Sequence, residues 1–389
     1  MFSYDEWTER IRGSIGEISV EQLAALGDEV PLIVDIREDA EYAEGAIPGA
    51  IHIPRGVLES TISTYAAPDT DFVVYCNAGQ RSVLAAYALQ QMGYSSVRSL
   101  AEGSDAWRRA GHPWEIPHTF SLDRRVRYAR HLVLPDVGED GQQRLLDSKV
   151  LIVGAGGLGS PAALYLAAAG VGTIGIIDFD TVEVSNLQRQ VLHRTSTVGE
   201  PKVDSAAETL RALNPDVVVI PHLGSLDAEN VLDVLDGYDV VVDGSDNFPT
   251  RYLLADASLH VRVPVVYGSV FRFEGQASVF RPYEGPCYRC LFPEPPPPEL
   301  SPSCAEAGVV GALPGVIGSI QAMETIKVLL GIGESLVGRL LVYDALDEDF
   351  RILSVRRDPS CPACSDEGRP PRIVDYDWRC TPAGNAPRG

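Results

Sequence analysis

The stretch KVLIVGAGGLGSPAALYLAAAG, residues 149–170, with TIGIIDFD at 173–180, restricts this chain more than any other. A β-branched run enters a glycine turn. An Ala/Leu-rich segment of helical length follows, and then a second apolar run ends in Asp178. That is a strand–helix–strand unit. Two parallel strands need such a crossover, and a parallel sheet is covered on both faces. The chain is therefore expected to hold an open, mostly parallel α/β sheet, with DVVVI, DVVVDGSD, PVVYGSV, GQASVF and LLVYD as further strands. The late strands are read as pairing antiparallel. Gly154, Gly156, Gly157 and Gly159 would let the backbone approach a phosphate at a helix N-terminus. Asp178 is placed to bind a ribose hydroxyl. This much fits NAD as well as ATP.

The charges that follow favour ATP. Lys202 comes directly after Pro201, and proline favours a helix start. A lysine in a first helical turn opposes the helix dipole, and a triphosphate would offset it. The alternative is a solvated surface lysine. SNLQRQ supplies Asn186, Arg189 and Gln190 after a second acid, Asp180. Arg189 could hold a phosphate bidentately. Asp246 ends VVVDGSD at the carboxyl edge of the sheet, where it suits Mg²⁺ or, alternatively, caps the helix that starts in NFPTRYLL.

Together GAGGLG, DFDTVEVSNLQRQ, GEPKV and DGSDN closely resemble the ThiF/MoeB/HesA family of adenylating enzymes, relatives of ubiquitin-activating enzymes. The resemblance spans about residues 120–365. It implies a Rossmann-like doubly wound domain that binds MgATP through Gly157, Asp178, Asn186, Arg189, Gln190, Lys202 and Asp246. Arg130, in RYARHLVL, matches an arginine that family members insert into the neighbouring protomer's site, which implies a homodimer. The implied partner is a small ubiquitin-fold sulfur-carrier protein ending in Gly-Gly, whose C-terminal carboxylate becomes an acyl adenylate.

Seven cysteines punctuate the chain. Cys287-x-x-Cys290 and Cys361-x-x-Cys364 have zinc-knuckle spacing, and four thiolates make a closed structural Zn²⁺ site. Pairing the two is an inference that the family resemblance strengthens. Cys304, after the Pro-rich EPPPPEL (294–300), matches the family's loop cysteine, which forms a thioester, an acyl disulfide or a mixed disulfide. Cys380 has no assignable role.

The remaining cysteine, Cys76, ends the apolar run FVVYC and precedes Gln80, where a helix is expected to begin. Such a loop gathers backbone N–H groups, and these with Arg81 and the helix dipole would stabilise a thiolate. The plain alternative is a small buried core cysteine. DIREDAEYAEGAIPGAIHIP (35–54) and CNAGQRS resemble the rhodanese pattern over about residues 15–117. The resemblance makes Cys76 a persulfide-carrying nucleophile, with Arg81 and the loop N–H groups holding the anionic sulfur and Asp35 and Arg37 structural or near the site. Related phosphatases have a loop one residue longer, and the shorter loop suits a single sulfur. Relatives with both domains usually carry the rhodanese last. Here it comes first.

The resulting expectation is an α/β chain of two domains. Residues 1–117 form a rhodanese-like sulfurtransferase domain. Residues 118–365 form a Rossmann-like, doubly wound adenylating domain with a zinc knuckle. A loosely ordered tail covers 366–389, and 111–121 is read as the linker. Catalytic roles are expected for Cys76, Arg81, Cys304, Arg189 and Asp246. The expected reaction is ATP-dependent adenylation of a carrier protein, then sulfur transfer to give a thiocarboxylate, with thiosulfate or a cysteine desulfurase persulfide as donor. The net charge of −22 argues against nucleic-acid and membrane-surface binding. The charged start MFSYDEWTER has no apolar leader, so a cytoplasmic protein is expected. Two rivals remain: an NAD(P)-dependent oxidoreductase, in which SNLQRQ and Lys202 have no role, and a non-catalytic scaffold for a ubiquitin-like partner. The carrier and its pathway stay open.

Overall fold

The computed structural model describes residues 3–27, 31–116, 120–294 and 308–376. They fall into two compact units that divide at Ser121 and Leu122. Cys304, Cys380 and most of the Pro-rich segment lie outside the described residues.

The first unit is a five-stranded parallel sheet. Its strands are β1 (Gly16–Ile18), β2 (Leu32–Asp35), β3 (Ile51–His52), β4 (Phe72–Tyr75) and β5 (Val97–Leu100), in the order β1-β5-β4-β2-β3. Alternation along the strands builds two cores. Val34, Phe72 and Val74 pack on one face, and Ile33, Val73 and Tyr75 on the other. Ser19 caps the helix Val20–Ala24 by accepting from Gln22 N, as expected of Ser before an apolar period. The linker reading gives way over 111–116. Ala46 and Glu115 exchange backbone hydrogen bonds, and Trp107 Nε1 donates to Pro113 O. These bonds hold residues 113–115 on the first unit.

The second unit is an eight-stranded sheet. Its strands are β6 (Lys149–Val153), β7 (Thr173–Asp178), β8 (Val218–Leu223), β9 (Val240–Asp243), β10 (Val265–Phe271), β11 (Glu274–Phe280), β12 (Arg339–Asp344) and β13 (Asp349–Ser354). The order is β13-β12-β11-β10-β9-β6-β7-β8. Strands β8 to β10 pair parallel, and β10 to β13 pair antiparallel. Val150 and Ile152 enter one core, Leu151 and Val153 the other, so both faces are covered. The helix expected over LDRRVRYARHLVL is broken into Leu122–Arg127 and Ala129–Leu132. Tyr128 sits at the break, buried, with its hydroxyl bonded to Asn214 and Asp216. A tertiary anchor thus overrides a continuous helical period.

The helix Ala312–Leu330 has the length and apolarity of a membrane span. It packs as a core helix, with Ile317, Gln321, Ala322, Thr325 and Leu330 buried. Gln321 Nε2 donates to Asp243 O and Val266 O, which ties this helix to the carboxyl end of β9.

Candidate functional site

The chain goes from β6 outward to β7 and β8, then returns to β9 on the other side of β6. That reversal opens a crevice beyond the carboxyl ends of β6 and β9, the usual ligand position in such sheets. Two glycine turns floor it. A Cβ on Gly154 (φ +91°) would lie 2.9 Å from Gly244 O, and one on Gly159 would lie 1.9 Å from Gly154 O. Only glycine permits this approach.

The crevice is lined by Gly154, Gly156, Gly157, Asp178, Asp180, Arg189, Gln190, Lys202, Gly244, Ser245, Asp246 and Asn247. Loops between about ten and forty residues apart in sequence therefore converge on one crevice. Asp178 uses both oxygens on the turn, accepting from Ala155 N and Asp180 N at 2.8 Å each. Gln190 is buried, and its Oε1 has no partner among the described residues. Lys202 is the first residue of the helix Lys202–Leu213. It is not a solvated surface lysine: it is 5% exposed, and its Nζ donates to Asp180 Oδ2 at 2.7 Å. The charge that offsets it here is Asp180. Asp246 is not the helix cap either. Asn247 holds that place, accepting from Thr250 N at 3.0 Å. Asp246 is exposed at the crevice edge.

Three of the expected cofactor-binding residues do not line this crevice, among them Arg130, which was expected at a neighbouring protomer's site. Gly159 packs the helix Gly159–Ala169 on the turn behind the crevice. Asn186 is buried, and its Oδ1 accepts from Glu183 N, closing a short turn. Arg130 is exposed outside the crevice of its own chain.

Sequence reasoning missed His193. It is buried with one ring nitrogen 2.9 Å from Ala155 O and the other 3.0 Å from Ser205 Oγ. It struts the glycine turn against the helix that carries Lys202. Burial pushes its pKa down, and the nearby Lys202 charge adds to that. Its only signal was a histidine three residues past Gln190.

In the antiparallel part of this unit, Cys287 and Cys290 follow β11, and Cys361 and Cys364 follow β13. Their four sulfurs lie within 4.8 Å of one another, with separations of 3.9, 3.6 and 3.5 Å among them. A tetrahedron with Zn–S near 2.3 Å has edges of about 3.8 Å. Asp358 N points at Cys290 Sγ at 3.4 Å. Burial pushes up the Cys287 and Cys290 thiols, the latter to about 11. A bound cation would reverse that. The cluster could hold a metal.

In the first unit, Cys76 is 2% exposed, directly after β4, with Sγ 3.7 Å from Ser82 Oγ. The helix Gln80–Gln91 follows, with Gly79 left-handed at its start. Arg81, the second residue of that helix, is engaged by an acid. Both its terminal nitrogens donate to Glu41, at 2.7 Å each. Arg37 is paired with Asp35 and reaches Asn77 Oδ1 at 3.4 Å, so this pair braces the loop.

The residues from 128 to 363 match the ThiF family model, and residues 19–110 match the rhodanese-like domain. The chain belongs to the ThiF family. It is 55% identical to a sulfur carrier protein adenylyltransferase of Thermus thermophilus, over 65% of this chain and 96% of that one. It is 54% identical to the SAMP-activating enzyme E1 of Haloferax volcanii, over 67% of this chain and 96% of that one. It is 50% identical to a probable adenylyltransferase/sulfurtransferase MoeZ of Mycobacterium tuberculosis, over 68% of this chain and 67% of that one. The fold is shared with MccB of E. coli solved with ATP, at TM-score 0.54 and 21% identity, over 64% of this chain and 75% of that one. This ThiF-family chain thus joins an adenylating-type sheet to a rhodanese-like domain that precedes it.

Proposed function

We propose that this chain activates the C-terminal Gly-Gly carboxylate of a small ubiquitin-fold sulfur-carrier protein with MgATP, and that Cys76 then delivers sulfur to give a thiocarboxylate. One observation carries the adenylating half. Gly154, Gly157, Asp178, Arg189, Lys202 and Asp246 converge on one crevice, whose buried Gln190 Oε1 is unpartnered among the described residues. A dinucleotide oxidoreductase has no use for that set of charges, nor has a scaffold.

A carboxylate is a poor electrophile. Its attack on the α-phosphorus releases pyrophosphate and leaves AMP as a good leaving group. The N–H groups of the turn from Gly154 receive phosphate oxygens, Lys202 and Arg189 neutralise charge growing on them, and Asp178 faces the ribose. Asp246, free of the capping role, would hold Mg²⁺, which would supply positive charge against the phosphates. Cys287, Cys290, Cys361 and Cys364 would hold a structural Zn²⁺, distant in role from the reaction. Cys304 is proposed as the loop cysteine that meets the activated glycine.

A homodimer completes this reading. Leu164, Tyr165, Val316, Ile320 and Met323 line an open apolar groove, with Tyr165 59% and Met323 51% exposed. A face of that kind suits a second copy, which would bring Arg130 to the neighbouring crevice. We place the protein in the cytoplasm.

The test is intact mass spectrometry of Gly-Gly-ended carriers mixed with the protein, MgATP and a sulfur donor. Exchange of one oxygen for sulfur on a carrier is expected. Pyrophosphate exchange without any sulfur gain would leave only the adenylating half standing.

A further inference from the structure

The charge around Cys76 identifies the class of sulfur donor, given that Cys76 is the sulfur acceptor of the proposed function. Glu41, on the helix Asp39–Ala43, grips the Cys76 loop at two points. It takes both terminal nitrogens of Arg81 at 2.7 Å and Asn77 Nδ2 at 2.6 Å. Arg81 holds the Glu41 carboxyl down to about 2, so Glu41 is ionised at any working pH. Among the described residues, the two guanidinium groups that touch the loop, Arg37 and Arg81, are each already paired, with Asp35 and Glu41. The cradle therefore presents backbone N–H groups but no net positive charge.

We infer that Glu41 is a specificity-determining residue that makes the Cys76 loop select a monoanionic persulfide over dianionic thiosulfate. With a persulfide, the Cys76 thiolate attacks the outer sulfur of R–S–S⁻. The S–S bond breaks, R–S⁻ leaves with the electron pair, and Cys76–S–S⁻ remains, so the cradle holds two negative charges during the transfer, of which one leaves with R–S⁻ and one stays on Cys76. With thiosulfate, sulfite leaves, and three negative charges must share the cradle throughout. Backbone N–H groups suffice for a single terminal sulfur. An extra charge needs a cation that Glu41 has engaged. The Glu41–Arg81 pair is roughly one-third exposed on both sides, so salt weakens the selection without abolishing it.

The test is the loading of Cys76 in the full chain, read by intact mass as one added sulfur. Cysteine persulfide and thiosulfate are compared over a range of ionic strength, with Cys76→Ser as the blank. The wild type is expected to load from the persulfide at least about tenfold faster. Glu41→Gln keeps the shape and a weaker grip but frees the Arg81 charge. It is expected to raise thiosulfate kcat/KM about tenfold, with a new and steep salt dependence, and to change persulfide loading little. Glu41→Asp keeps the charge and is expected to keep the wild-type preference even if loading slows. Equal use of both donors by the wild type overturns the inference. So does an equal fall with both donors in Glu41→Gln, which would show a structural role only. If neither donor loads Cys76 while pyrophosphate exchange proceeds, the reading of Cys76 as acceptor has failed, and the donor assignment falls with it.

Discussion

Lys202 Nζ lies 2.7 Å from Asp180 Oδ2, the lysine buried and the aspartate half exposed. The buried cation has a counter-ion that can turn to water when phosphates arrive. Asp180→Asn should therefore destabilise the ligand-free protein by about 1–2 kcal/mol, allowing for exposure of the carboxylate. MgATP should narrow that gap. Thermal unfolding with and without nucleotide checks this, and an unchanged gap would count against phosphate binding at Lys202.

Asp246 and Asn247 adjoin, yet only Asn247 caps the helix Phe248–Val261. Asp246→Ala should leave stability nearly unchanged while cutting ATP–pyrophosphate exchange about 100-fold or more. Asn247→Ala should cost about 1 kcal/mol of stability. Exchange assays and denaturant melts separate the two. Full exchange in Asp246→Ala would remove the Mg²⁺ assignment.

Cys76→Ala should retain pyrophosphate exchange and lose sulfur transfer from every donor. The site is buried, and loss of one sulfur atom should cost only about 1 kcal/mol. Carrier thiocarboxylate, read by mass, decides it.

Elemental analysis should find stoichiometric zinc that is lost in a Cys361→Ser variant. Chelation should lower the melting temperature of the second unit by several degrees, since binding to the folded state alone stabilises it. No change on chelation would mean that the four sulfurs close without a metal.

His193 sets a pH dependence. Its pKa is lowered by burial from 6.5, so the unfolded chain binds its proton first as pH falls. Stability from this group is full above about 6.5 and declines as pH drops from there through the lower folded value. His193→Gln should flatten that decline. Urea melts between mildly acidic and neutral pH measure the slope.

Much of this was legible because it is local. The start of the helix at Lys202 follows from Pro201 and the apolar period after it, and the helix spans Lys202–Leu213. The strands read clearly because both faces of a parallel sheet are buried, which demands unbroken runs such as VLIV and VVVD. The convergence of GAGGLG, DFD, SNLQRQ and DGSD was legible only through family resemblance. Spacing alone does not bring loops on different strands together. Charge pairing was not legible at all. Glu41 precedes Cys76 by 35 residues, and nothing in EDAEYAEG marks it as the partner of Arg81. The same holds for His193, whose two hydrogen-bond partners lie 38 and 12 residues away.

The amino-acid order by itself determined the periodic elements, the glycine turn that admits a phosphate, and the residue types available for chemistry. These depend on backbone conformation and on side chains a few positions apart. The tertiary structure decided which charges face one another. It gave Lys202 to Asp180, Arg81 to Glu41 and the helix cap to Asn247 rather than Asp246. Electrostatic and hydrogen-bonding partners are set by distance in space, and only the packed sheets fix those distances, the five-stranded one for Arg81 and Glu41 and the eight-stranded one for Lys202 and Asp180.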